Sequence, residues 1–238
     1  FMDLPAVFDL DRALQGEMPI AWSDTYPARL GVMPRTGTDA DVRWYDINPC
    51  YVFHPMNAYE DGTDIVLDVA RLDHIWRDSM MDFPMPELWR FTIDTVTGRV
   101  REEQIDDRPA EFPRVPDSRV GLPHRYGYMM GMPDNPNYED PIHQRGSILK
   151  YDRVTGERRE FDLGMGRTSG EPVFAPAADA RNEDDGYLMT YVYDANADAS
   201  SFIIIDAATM DAEPVAEVTL PRIPFGFHGS WVPDDVAN

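Results

Sequence analysis

Four residues of this chain recur at nearly even spacing and carry side chains that can bind or orient a metal ion. They are His54 in FHPMNAYEDG, Glu111 in AEFPRV, Glu171 in SGEPVFAP and His228 in FGFHGSW, separated by 57, 60 and 57 residues. Imidazole ligates Fe, Zn, Cu or Ni, and a carboxylate that accepts the second ring N–H fixes the tautomer and raises basicity. Gly or Pro lies within two residues of all four. If the fold brings equivalent positions together, two imidazoles and two carboxylates are the raw material of a metal site. If it does not, each is an ordinary strand-end residue bonded to its local backbone. His74, His124 and His143 lack this periodic support and read as surface or packing residues. There is no Gly-x-Ser-x-Gly elbow, phosphate-cradling Gly loop or His-Glu-x-x-His. The acidic runs NEDDG (182–186) and YEDG (59–62) lack the alternating oxygen ligands of a calcium loop and read as solvated turns.

The elements that must position these residues are strands. Three segments share one pattern: LWRFTIDTVTGRVREEQI, ILKYDRVTGERREFDL and FIIIDAATMDAEPVAEVTL. In each, an apolar strand leads to Asp-x-x-Thr and then to a more highly charged strand. The pairs are Asp94 and Thr97, Asp152 and Thr155, and Asp206 and Thr209. Aspartate can cap such a turn, and Gly98 and Gly156 suit a position of positive φ. DIVLDVARL, HRYGYMMGM and GYLMTYVYD supply further strands, and helical periodicity is nearly absent. About four strands recurring at a period near 57 residues describe a β-propeller blade. A generic β-sandwich would not predict the repeat. The fold class expected is therefore all-β, with about four blades, and inner-strand positions of successive blades converge on the propeller axis.

Composition narrows the partners. The chain has 238 residues and a net charge of −22, which repels phosphate backbones and argues against nucleic-acid binding. The same charge repels anionic membranes, although an apolar rim could still touch lipid. With no long apolar span, no basic-then-apolar leader and the single Cys50, a cytoplasmic location is expected, with Cys50 in a packing role. FMDLP at the start reads like the middle of a longer chain.

At its periodic residues the chain resembles the carotenoid cleavage oxygenases, a family that includes lignostilbene dioxygenases, apocarotenoid oxygenases and the retinoid isomerase of the eye. FHPMNAYEDG looks like that family's Phe-His-x-x-Asn-x-Tyr-Glu motif. EFPRV with RYGYMMG, GEPVFAP with EDDGYLMTYVYD, and PFGFHGSW match its later motifs in order. The resemblance implies a seven-bladed propeller holding one Fe2+ on four histidines. On that basis His54 and His228 are the third and fourth metal ligands. Glu111 and Glu171 are carboxylates that orient them, Glu111 serving His54 and Glu171 serving His228 at about 2.7–2.9 Å. It further implies that residues 1–238 form the C-terminal part of a single propeller domain, with two histidines and most of the substrate entrance upstream. Peripheral membrane contact would then belong to that upstream part.

The activity implied is cleavage of a conjugated C=C bond of a carotenoid or apocarotenoid by O2, giving two carbonyl products, with no catalytic residue beyond the metal ligands. The residues do not separate this from cleavage of a stilbene-like substrate. A metal-dependent propeller hydrolase or lactonase would favour carboxylate and Asn ligands to Ca2+, and a non-catalytic binding propeller would hold no metal.

Overall fold

The computed structural model describes residues 1–79, 81–82, 84–133, 136–137 and 139–234, and nearly every regular element in it is a strand. The chain divides into two compact units: residues 1–55 with 60–107, and residues 56–59 with 108 onward.

In the first unit, β1 (Met2–Asp3), β4 (Ala28–Val32) and β5 (Arg43–Ile47) form a three-stranded sheet in the order β1-β4-β5. The hairpin of β2 (Ala6–Phe8) and β3 (Ile20–Trp22) encloses a short helix, α1 (Leu10–Leu14), whose first turn is capped by the Asp9 carboxylate accepting from the Arg12 N–H. A four-stranded sheet follows in sequence order: β6 (Tyr51–Asp61), β7 (Asp64–Leu72), β8 (Glu87–Asp94) and β9 (Val100–Asp106). Its strands differ in burial as their composition requires. DIVLDVARL in β7 is largely buried, whereas VREEQID in β9 lies mostly in solvent at the sheet's edge. Leu30, Tyr45, Ile47, Cys50, Val52, Val69, Phe91 and Ile93 form the core.

The second unit contains β10 (Ala110–Arg114), β11 (Tyr126–Gly131), β12 (Arg145–Asp152) and β13 (Arg158–Met165), joined as an antiparallel meander. The inner segments β14 (Arg167–Ser169) and β15 (Val173–Pro176) both pair with β16 (Gly186–Asp194), and β17 (Ala199–Asp206) and β18 (Ala216–Leu220) complete that sheet. β14 also pairs in parallel with β12 through Arg145 and Arg167, linking the two meanders. Tyr128, Ile148, Phe161, Leu163, Phe174, Leu188, Val192, Ile203, Ile205 and Met210 pack as the core, each large apolar side chain contributing about 2 kcal/mol by burial. The three-stranded sheet, the four-stranded sheet and the two linked meanders of the second unit make four blade-like groups of strands, the count expected from the repeat.

The three Asp-x-x-Thr turns form as expected. Asp94 Oδ1 accepts from the N–H groups of Val96 and Thr97, and Oδ2 accepts from the Thr97 hydroxyl at 2.6 Å. Asp152 accepts from Val154 and Thr155, and Asp206 from Ala208 and Thr209. Four residues after each Asp the backbone has positive φ, at Gly98 (78°), Gly156 (74°) and Met210 (52°). A fourth turn of this kind joins β16 to β17: Asp194 accepts from Asn196 and Ala197, and Asp198 takes φ 47°. Its sequence, DANAD, has neither the Thr of the other three nor the Gly of two of them.

One expectation is overturned. NEDDG is not simply a solvated turn, because the Glu183 and Asp184 carboxylates are largely covered and ion-paired. Glu183 accepts from the backbone N–H groups of Arg125 and Tyr126 and pairs with Arg119. Asp184 pairs at 2.6 Å with the buried Lys150 ammonium, and Asp185 accepts from the N–H groups of Arg181 and Asn182. YEDG does end in an exposed turn.

Candidate functional site

Both candidate glutamates lie where an inner strand is interrupted. In β10, Glu111 pairs with Met130 and Arg114 with Tyr128, so two residues, Phe112 and Pro113, stand opposite the single Met129. Between β14 and β15, residues 170–172 stand opposite only 190 and 191 of β16. Each is a bulge, a device that re-aims a side chain, and each contains a proline that cannot donate to the ladder. Phe112 takes φ 52° and Phe227, beside His228, takes φ 47°. Such a conformation costs a residue with a Cβ about 1–2 kcal/mol, so the surroundings must hold it.

At Glu171 those surroundings are well defined. The side chain is buried, and its two oxygens divide their partners. Oε2 accepts from Arg114 Nη1 at 2.9 Å and from the Gly229 N–H at 3.1 Å, while Oε1 lies 3.3 Å from His228 Nδ1. The Glu171 N–H in turn donates to the Phe227 carbonyl at 3.3 Å. Oε1 of Glu171 thus faces His228 at a longer distance than the 2.7–2.9 Å of a fully charge-assisted bond. The imidazole is about half exposed, with the Phe112 ring packed edge-on at 5.4 Å and Phe112 meeting Phe227 at 6.1 Å. With Nδ1 directed at a carboxylate, Nε2 is the ring atom suited to a metal, in an apolar aromatic setting.

Glu111 is buried, and its Oε2 accepts from the Phe112 N–H across the bulge. His54 belongs to the first unit, on β6, with its ring beside Phe53 at 6.3 Å. The other histidines have local duties. His74 Nε2 meets Asp82 at 3.2 Å, and His143 Nδ1 meets Asp140 at 2.8 Å. His124 is buried against Asn57 and lies within 3.4 Å of the Arg153 guanidinium. Asn57, three residues after His54, is an organiser of the loop before β11. Its amide donates to the carbonyls of Arg119 and Leu122, and its oxygen accepts from Gly121. Among the described residues no group of three or more His, Cys, Asp or Glu is arranged to hold a metal. The donor chemistry present, a histidine braced by a carboxylate, nevertheless fits a partial ligand set.

Sequence reasoning missed Arg114 and the aromatic pair Phe112 and Phe227. The signal for the bulge was the proline one or two residues after each glutamate; for Arg114 there was no signal, since Glu171 and Gly229 lie 57 and 115 residues away.

Comparisons with known proteins bear on this arrangement. The family model described as retinal pigment epithelial membrane protein matches residues 1–233. The chain is 42% identical over 235 residues to a carotenoid cleavage oxygenase of Mycobacterium tuberculosis, covering 94% of this chain and 46% of that one. It is 33% identical over 261 residues to a carotenoid 9,10(9',10')-cleavage dioxygenase of Crocus sativus, covering 99% and 46%. Among solved structures, cobalt-substituted Synechocystis ACO matches with a TM-score of 0.86 at 28% identity, over 98% of this chain and 50% of that one. The chain therefore spans about half the length of each of these relatives, and its sheets are blades of a β-propeller.

Proposed function

This chain belongs to the retinal pigment epithelial membrane protein family, and from that premise we propose that it is part of a dioxygenase cleaving a conjugated C=C bond of a carotenoid or apocarotenoid. The observation that carries the reading is the His228 imidazole, braced at Nδ1 by the buried Glu171 and packed edge-on against the Phe112 ring, which itself meets Phe227. It is supported by relatives named for carotenoid cleavage over 94–99% of the chain. The proposed cofactor is Fe2+, with His54 and His228 as ligands and Glu111 and Glu171 as the carboxylates that orient imidazoles.

When bound, Fe2+ would supply the redox chemistry that activates dioxygen. The residues of this chain have other tasks. Glu171, facing Nδ1, would favour the Nδ1–H tautomer of His228, the one in which Nε2 can ligate a metal. The Phe112 ring beside the imidazole offers an apolar surface suited to an extended polyene. One C=C and one O2 balance two C=O, so no side chain is required to donate or remove a proton.

The test uses the protein expressed from its complete coding sequence. His54→Ala and His228→Ala should lose most bound iron, measured by elemental analysis, and nearly all cleavage of an apocarotenal followed by its visible absorbance. Glu111→Gln and Glu171→Gln should be milder, at about 10–100-fold. A histidine variant with full iron content and full turnover would refute the ligand assignment.

A further inference from the structure

We infer that Arg114 is a positioning residue that sets the orientation of His228 by clamping both Glu171 and the backbone after the histidine. This rests on the reading of His228 as a metal ligand, but the geometry stands independently of any metal. The segment 221–234 has no regular secondary structure, and Phe225, Phe227, Trp231 and Val232 are exposed. A histidine on such a segment has no ladder to hold it. What holds it is a small cycle of hydrogen bonds. Arg114 Nη1 donates to Glu171 Oε2 at 2.9 Å and to the Gly229 carbonyl at 3.1 Å. The Gly229 N–H returns to the same Glu171 oxygen, and the Glu171 N–H reaches the Phe227 carbonyl. Gly229, after His228, is therefore fastened to one carboxylate and one guanidinium, and Phe227, before it, to the Glu171 backbone.

Charge explains why this position is an arginine. Glu171 is buried, and a buried carboxylate needs a compensating cation and full hydrogen bonding. Arg114 supplies both, and Asp117 holds its other nitrogen, Nη2, at 3.0 Å. Because Arg114 and Gly229 occupy Oε2, Oε1 is the atom left facing the imidazole. A lysine offers charge but not the planar fork that reaches a carboxylate, a carbonyl and a second carboxylate together. The bulge in β10 sets the register from which Arg114 makes this reach.

The experiment compares wild type, Arg114→Met, Arg114→Lys and His228→Ala in the protein from its complete coding sequence. Three readouts are taken: amide exchange of residues 226–230 without metal, the 15N shifts of the His228 ring without metal, and Co2+ affinity from its visible absorption. In Arg114→Met, exchange at 226–230 should rise about tenfold, as expected for loss of one charge-assisted hydrogen bond. Exchange in β16 and β17 should not change. The His228 ring should shift from one tautomer to a mixture, and Co2+ affinity should fall about 10–100-fold. Arg114→Lys should recover part of each effect. Wild-type exchange and ring shifts in Arg114→Met would overturn the inference, as would a global rise in exchange with no recovery by lysine. If His228→Ala binds Co2+ as tightly as wild type, the ligand reading fails, while the two metal-free readouts still judge Arg114. Should Arg114→Met fail to fold, Arg114→Gln is judged by the same readouts.

Discussion

Individual side chains here owe their behaviour to partners remote in the sequence. Cys50 sits in the first unit's core, and burial, opposed weakly by Arg71, pushes its thiol up to about 11. Thiolate is the reactive species, so at pH 8 the native protein should resist a maleimide or disulfide reagent for hours and react promptly in denaturant, as followed by mass spectrometry. Rapid labelling of the native form would show that the surrounding packing opens easily. Met210 illustrates a compromise of a different kind. It occupies the positive-φ position where two of the equivalent turns have glycine, yet its side chain is buried in the second unit's core. Met210→Gly would relieve about 1 kcal/mol of backbone strain but forfeit about 2–5 kcal/mol of packing. Net destabilisation of about 1–4 kcal/mol is expected in urea titration, and a stabilised variant would show that strain dominates.

At the level of elements, the hairpin turns at Asp94 and Asp152 depend on ionised aspartates. Hydrogen bonds, first from the Thr97 hydroxyl and then from backbone N–H, hold the Asp94 carboxyl below its ordinary range. Asp152 is held low chiefly by Arg125, and Asp185 by the N–H groups of Arg181 and Asn182. A carboxylate whose folded pKa is depressed contributes stability above the unfolded value, near 3.9, and loses it as pH falls toward the folded value. Urea midpoints should therefore be flat from about pH 7 to 5 and fall steeply below about pH 4. Asp152→Asn should flatten part of that fall. An unchanged acid limb in that variant would mean other carboxylates govern it. The bulges in β10 and between β14 and β15 obey a similar local logic, since proline removes a ladder donor and the strand must bend around it.

For the whole chain, the dominant physical quantity is its charge. With 43 acidic against 21 basic residues, like charges outnumber pairs and repulsion opposes the compact state. Raising NaCl from about 20 to about 200 mM should screen this and raise Tm by a few degrees, because the Debye length falls below typical surface spacings. A decrease would show that attractive pairs such as Lys150 with Asp184 outweigh the surplus.

The sequence by itself determined the all-β class, the approximate number of blades, the capped turns and the residue types offered to a metal. Strand alternation, turn chemistry and a period near 57 residues are properties of neighbours in the chain, so they are visible without coordinates. Tertiary structure decided which of those residues meet. Glu171 reaches His228 because a three-against-two bulge and an irregular terminal segment bring them together. Arg114 joins them, Asn57 ties down a loop more than 60 residues away, and NEDDG becomes a covered ion-paired turn. These contacts depend on the register and bending of strands far apart in sequence, and periodicity carries no record of either.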